Sequence, residues 1–452
     1  MRDFYSTALL TLGAFLLLGV LAGRRTRSGS DYTVAGRKAG AGAVAGILLG
    51  ALVGGASTVG TVQMAYGHGF SAWWFTLGGG IGCLLLGLRF AGPLRRSGLE
   101  TIPQLLGAHY GAGTGRLSMA AASAGTYISI VAQFLAGLAL LRSVLPLSTG
   151  QASLVLALSV TGFIFFGGLK SFGALGKAKI ALLYVVMASC AAASSRGSLR
   201  ALAALPFSPY FNLFGRGPAK DLGALTSLIV GVFTTQIYIQ SFFAASDERS
   251  ARRGAFLSAL LMPPLGLLGI LVGLTLRGRG AVIDPAQALP RFIVETFSPW
   301  AGGILWSGLF ITVVGCAAGL TLGVATNIVR DVLIPLVPKG ASEKTALVAS
   351  RLVVVALVFS ASFLGALGEG SMILTWSYLS MGLRGAGTFF PFVMAVIAPG
   401  RLSPSWALGA SLSGLAALFV TPLLCAAEPL FVGLALSGGV TFVGLTRKKG
   451  TA

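Results

Sequence analysis

The chain has 452 residues, 55% of them hydrophobic and 10% charged, with a mean hydropathy of +0.86. Soluble domains carry about a quarter of their residues as charge, so a water-soluble globular protein is excluded. Continuous apolar runs in place of short alternating segments exclude a transmembrane β-barrel. The 33 Lys and Arg against 12 Asp and Glu, a net charge of +21, cluster in short loops. That is the pattern of loops beside a membrane, not of a nucleic-acid surface.

In chain order the apolar runs predict spans near 4–22, 40–66, 68–90, 117–145, 150–169, 174–194, 223–245, 255–277, 299–330, 346–366, 370–398, 404–425 and 428–446. A run of about 20 apolar residues crosses a hydrocarbon core of about 30 Å. The expected fold class is an all-α polytopic membrane protein with about 13 transmembrane helices in the lipid bilayer. The first run starts near Phe4, and "LLGVLAGRRTRSGS" lacks a cleavage-site pattern, so it reads as a retained span and not a signal peptide. Placing the N-terminus outside puts "RRTRSGSDYTVAGRK", most of the other basic residues and the C-terminal "TRKKG" in the cytoplasm. The expected location is the inner, cytoplasmic membrane. Cys83, Cys190, Cys316 and Cys425 fall within spans as lone thiols, not as a disulfide set. His68 and His109 lie near loops and read as polar surface residues. No phosphate-binding P-loop, HExxH or paired-cysteine motif is present, so neither an enzyme nor a cofactor is expected.

Two spans look interrupted. The second contains "GILLGALVGGASTVGTVQMAYGHG", and the seventh contains "GVFTTQIYIQS". Backbone groups freed by an unwound segment must be satisfied by cavity water, protein or ligand. Discontinuous spans in corresponding positions of two halves point to a midplane transport site. The spacing implies two five-span units, 31–194 and 223–398, joined by an exterior loop, 195–222. Residues 1–30 and 399–452 then form one extra span with a basic loop and two extra spans with a basic tail. Polar candidates for a small organic solute are Ser57, Thr58 and Thr61 in the second span, Gln133 in the fourth, and Gln236 and Gln240 in the seventh. Taken singly, each also fits a packed interhelical hydrogen bond. Tyr66 and Trp376 are candidate lids or interface anchors.

The eleventh span carries "WSYLSMGLRGAGTFFPF", with Arg384 near its middle. A charge at that depth costs about 2.5–3.5 kcal/mol on insertion scales. It sits roughly 21 Å of helix from either end, beyond the reach of a snorkelling side chain. Two readings stand. Arg384 caps carbonyls at a break in "GLRGAG", or it faces the cavity and clamps an anionic group through bidentate hydrogen bonds.

The stretches "DYTVAGRK", "STVGTVQMAYGHGFSAWW", "ETIPQLLGAHYG", "GGLKSFGALGKAK", "IQSFFAASDERSARRGAF" and "TNIVRDVL", in this order and spacing, resemble the sodium/solute symporter family. The resemblance covers nearly the whole chain. It implies a LeuT-type five-plus-five inverted repeat with one N-terminal and two C-terminal extra helices, and alternating-access transport of a small organic solute, usually driven by Na⁺. It places the family's ion site on the carbonyls of Gly50 and Val53, on Thr312, and on a hydroxyl pair that falls here on Gly315 and Cys316. Glycine has no side-chain oxygen, and sulfur is too soft for an alkali cation. Where the family commonly has an aspartate after "GGLKSFGAL", this chain has Gly176, followed by Lys177 and Lys179. The acids Glu369 and Glu428 sit at span edges, away from any proton relay. Na⁺ symport, Na⁺-independent uniport or exchange, and proton symport therefore all stay open, with Arg384 a candidate tethered substitute for the ion. Outside transport, the alternative is a solute-sensing module whose partner would be a separate sensor kinase.

Overall fold

A computed structural model describes residues 2–23, 33–165, 168–196, 198–280, 283–336, 343–424 and 428–447. Cys425, most of the first basic loop and the tail from 448 onward lie outside these residues. Each predicted span is occupied by helix. Among the described residues, nine helices are long and apolar enough to cross a membrane alone, or ten if the bent pair Pro218–Thr234 and Gln236–Phe243 counts as one span.

The first interrupted span is α2 (Ala41–Leu52) followed by α3 (Thr61–His68), joined through Val53–Gly60. Next come α4 (Trp73–Leu85), the short α5 (Ile102–Tyr110), α6 (Ala112–Arg142), α7 (Thr149–Phe165) and α8 (Gly168–Ser195). The second interrupted span is α9 (Pro218–Thr234) and α10 (Gln236–Phe243), bent by 44°. It leads into α11 (Glu248–Gly278), α12 (Pro299–Ile328), α13 (Glu343–Leu367), α14 (Ile373–Ile397), α15 (Pro404–Leu424) and α16 (Pro429–Arg447). The N-terminal α1 spans Arg2–Gly23.

Lipid gives helices no hydrophobic reason to associate, so close packing decides which faces meet. The most apolar window of α12 is entirely buried, which puts this helix at the centre of the bundle. Around it, small residues let backbones touch. A Cβ on Gly176 of α8 would stand 2.0 Å from the Gly46 carbonyl of α2, and one on Gly125 of α6 would stand 2.8 Å from the Ser380 carbonyl of α14. Leu9, Phe363 and Leu423 are strongly exposed on α1, α13 and α15, an apolar surface suited to lipid.

One expectation is overturned here. "GLRGAG" is no break, because α14 runs as continuous helix from Ile373 to Ile397. Its glycines are packing contacts: a Cβ on Gly385 would lie 2.2 Å from Val230, and one on Gly387 would lie 2.5 Å from Leu415. Pro391 leaves the Gly387 carbonyl without its helical donor, but among the described residues Arg384 donates only to serine hydroxyls.

Candidate functional site

The unwound segment between α2 and α3 can be followed group by group, because each backbone donor that leaves the helix must find another acceptor. Val53 adopts an extended conformation (φ −91°, ψ 106°) and ends α2. The Gly54 amide, which in an unbroken helix would bond the Gly50 carbonyl, donates to Ser57 Oγ at 2.9 Å. The Gly55 amide, which would bond Ala51, donates to Gln133 Oε1 at 2.7 Å. Thr58 Oγ1 donates to the Gly54 carbonyl at 2.9 Å, and Thr61 Oγ1 donates to that of Ala56 at 3.2 Å. Ser57, Thr58, Thr61 and Gln133 are thus brought together, and all four stitch the break.

The carbonyls left over are those of Gly50, Ala51 and Val53. Cys316 of α12 donates its thiol to Ala51 at 2.8 Å. Lys179 of α8 reaches across and donates its Nζ to Gly50 at 2.5 Å and to Val53 at 2.7 Å. Its side chain is 1% exposed. Burial of a lysine is rare unless its charge is met by partners, and here the partners are main-chain dipoles. Gly315 faces the same side chain: a Cβ there would lie 3.2 Å from Lys179 Cδ. Thr312 bonds back to the Gly308 carbonyl of its own helix at 2.7 Å. Gly50, Val53, Gly315 and Cys316 lie around one point, and the group at their centre is a lysine ammonium. The sequence reading missed Lys179 in this role and assigned a tethered charge to Arg384 instead.

In the second broken span, Thr235 takes the same extended conformation (φ −92°, ψ 117°). Thr234 and Thr235 bond back to Val230 and Gly231, at 2.9 and 2.5 Å. Gln236 and Gln240 do not join the first group. Gln236 donates Nε2 to the Glu100 carbonyl at 2.8 Å and accepts the Ile102 amide at 2.9 Å. Gln240 donates to the Thr33 carbonyl and to Thr326 Oγ1. Both tie α10 to the end of the bundle that carries the loop before α5. That end holds further bonds: Thr101 and Gln104 donate to Asp331 at 3.0 Å, and Arg330 pairs with Glu100 at 3.1 Å.

Arg384 on α14 is fully buried. One terminal nitrogen, Nη1, donates to Ser380 Oγ at 2.7 Å and to Ser129 Oγ at 3.3 Å. Its Nε and Nη2 have no partner. No main-chain carbonyl accepts from Arg384, and it does not reach the surface.

At the opposite end of the bundle from Gln236, a cavity of about 710 Å³ opens between α3, α9 and α14. Met64, His68, Arg216, Ser227, Tyr378 and Glu428 line it. Arg216 is held by Asp221 at 2.6 Å and lies over the Tyr378 ring. Tyr66 packs beneath Arg277, and Trp376 donates to Ser371. Neither of these candidate lids lines the cavity. His109 faces solvent and bonds Leu105 of its own helix.

Comparison with known proteins points to one group. The chain is 23% identical over 440 residues to the uncharacterized symporter YwcA of Bacillus subtilis (strain 168), an overlap covering 91% of this chain and 84% of that one. The structure superposes with a TM-score of 0.81 on a solved structure described as the substrate-bound outward-open state of a Na⁺-coupled sialic acid symporter. That match covers 100% of this chain and 98% of the other, at 15% identity, and speaks to the shared fold. The model of the sodium:solute symporter family matches residues 32–414. With two discontinuous helices flanking a polar, buried centre, the chain is a polytopic membrane transporter of the sodium:solute symporter family.

Proposed function

We propose that the protein is a secondary transporter that moves a small organic anion across the cytoplasmic membrane by alternating access. The observation that carries the anionic class is Arg384, a fully buried guanidinium with Nε and Nη2 unpartnered. Unmet donors on a buried charge cost several kcal/mol, and a carboxylate offers the planar, two-point acceptor that matches them. Ser129 and Ser380 orient the guanidinium. The solute enters through the cavity lined by His68, Arg216, Lys220 and Glu428.

In this reading the cavity faces outside, and the end closed by Gln236, Gln240, Glu100 and Asp331 faces the cytoplasm. The basic loops beside that closed end support the assignment. Units 31–194 and 223–398 are the two repeats that rock against one another. Transport is favoured over a sensor working with a separate kinase because two discontinuous helices flank a buried polar centre, the arrangement that midplane transport sites use.

The test is a thermal-shift and uptake survey of small carboxylates, sugars and neutral amino acids on the purified, reconstituted chain. A carboxylate is expected to bind. Arg384→Ala is expected to lose that binding by about 10²-fold or more, the equivalent of about 3 kcal/mol for a charged hydrogen-bonding pair. Arg384→Lys should recover only part, because an ammonium cannot make the two-point contact. Carboxylate binding unchanged in Arg384→Ala would defeat the anionic reading.

A further inference from the structure

The family's coupling cation is Na⁺, an ion that needs hard oxygen donors in place of its hydration shell. The residues at the corresponding position do not offer them. Gly315 supplies no side-chain oxygen, and the Cys316 thiol is already spent on the Ala51 carbonyl. Thr312 Oγ1 is turned back onto Gly308. The two carbonyls that remain, Gly50 and Val53, both accept from Lys179 Nζ. We propose that the Lys179 ammonium is a covalently tethered cation standing where a transported Na⁺ would sit, so that no Na⁺ binds between α2 and α12.

Three features on three helices agree on this substitution. The first is reach. Gly46 and Gly176 let α2 and α8 approach until a Cβ on Gly176 would be 2.0 Å from the Gly46 carbonyl. That contact leaves no room at 176 for an acidic side chain, and it carries Lys179, three residues on, to the carbonyls of the break. The second is space. Lys179 Cδ and Nζ would lie 3.2 and 3.5 Å from a Cβ at Gly315, so the lysine occupies the volume that a hydroxyl side chain there would need. The third is charge. Among the described residues no acidic side chain forms a salt bridge with Lys179, and its positive charge is met by the same carbonyl dipoles that the helix break leaves free. A glycine at 315, a glycine at 176 and a lysine at 179 form one coherent set, and each change makes sense only with the others.

A tethered cation keeps the broken helix neutralised but cannot be released to either side. This position therefore takes no energy from a Na⁺ gradient. This inference concerns the cation position and stands whether or not the anionic reading of Arg384 holds.

The test needs no solute. Thermal midpoints of the purified full chain are measured in NaCl against choline chloride at matched ionic strength. A ligand that binds only the folded state raises stability with the logarithm of its concentration. The wild-type chain is expected to show no Na⁺-specific shift. A triple variant, Lys179→Ala with Gly315→Ser and Cys316→Ser, vacates the position and supplies two hydroxyls. It is expected to gain a saturable Na⁺-specific rise that K⁺ does not produce. A saturable Na⁺-specific rise in the wild-type chain would overturn the proposal, as would a folded triple variant that ignores Na⁺. Should the triple variant fail to fold, the wild-type titration decides by itself.

Discussion

Gln133 is the one side chain from another helix that meets the amides freed at the first break, through its acceptor bond to Gly55. It is nearly fully buried. Gln133→Leu should leave the Gly55 amide unpaired at a cost of about 1–3 kcal/mol, seen as a lower thermal midpoint. Faster hydrogen exchange confined to residues 53–60 would identify the break as the origin. An unchanged midpoint would mean that the segment has another source of order. The glutamine could be read from sequence as a polar residue at depth, but its partner could not, because a main-chain amide 78 positions away leaves no trace in composition. Arg384 shows the same division. Its cost in a bilayer was legible, while its bonds to Ser129 and Ser380 depend on how α6 meets α14.

At the scale of elements, glycines decide which helices can touch. The Gly46–Gly176 contact joins α2 to α8, and overpacking such a site costs about 1–3 kcal/mol. Gly176→Ala is expected to lower the thermal midpoint and to pull Lys179 away from Gly50 and Val53. Gly162→Ala on α7 is the control, since nothing lies within 4 Å of a Cβ there. Equal effects from the two substitutions would show that the close approach is not specific. The interrupted spans were visible in sequence because glycines beside hydroxyl residues fit poorly in a regular lipid-facing helix. The role of Lys179 was not. Lys177 and Lys179 are two positions apart, about 200° around a helix, so only one of them can face the break. Composition cannot say which. In the structure Lys177 lies along Gly46 at the helix contact, and Lys179 turns inward.

At the scale of the whole molecule, the two ends of the bundle differ. One is open through the cavity around Arg216 and Tyr378. The other is held by Gln236, Gln240, the Arg330–Glu100 pair and the bonds from Thr101 and Gln104 to Asp331. Hydrogen bonds to a charged group are worth about 1.5–3 kcal/mol each, and tenfold in a two-state population corresponds to about 1.4 kcal/mol. Asp331→Ala should therefore shift the protein toward opening at that end by roughly tenfold or more. Hydrogen–deuterium exchange is expected to rise in 100–105 and 234–240 while the segment around Gly215 stays unchanged. Uniform acceleration at both ends would indicate general loosening in place of a released gate.

The sequence by itself determined that this chain lies in a membrane as a bundle of helices, that two of those helices are broken, and that one arginine is stranded at depth. These follow from hydrophobic length, local backbone preference and the cost of burying charge, all written in neighbouring residues. The family resemblance of its motifs also pointed to the carbonyls of Gly50 and Val53. Tertiary structure alone decided what meets those carbonyls, that Gln236 and Gln240 belong to the closed end, and that the glycines around Arg384 are contacts in a continuous helix. Each of these depends on the distance between elements far apart in the chain, and that distance is set by how closely their backbones can pack.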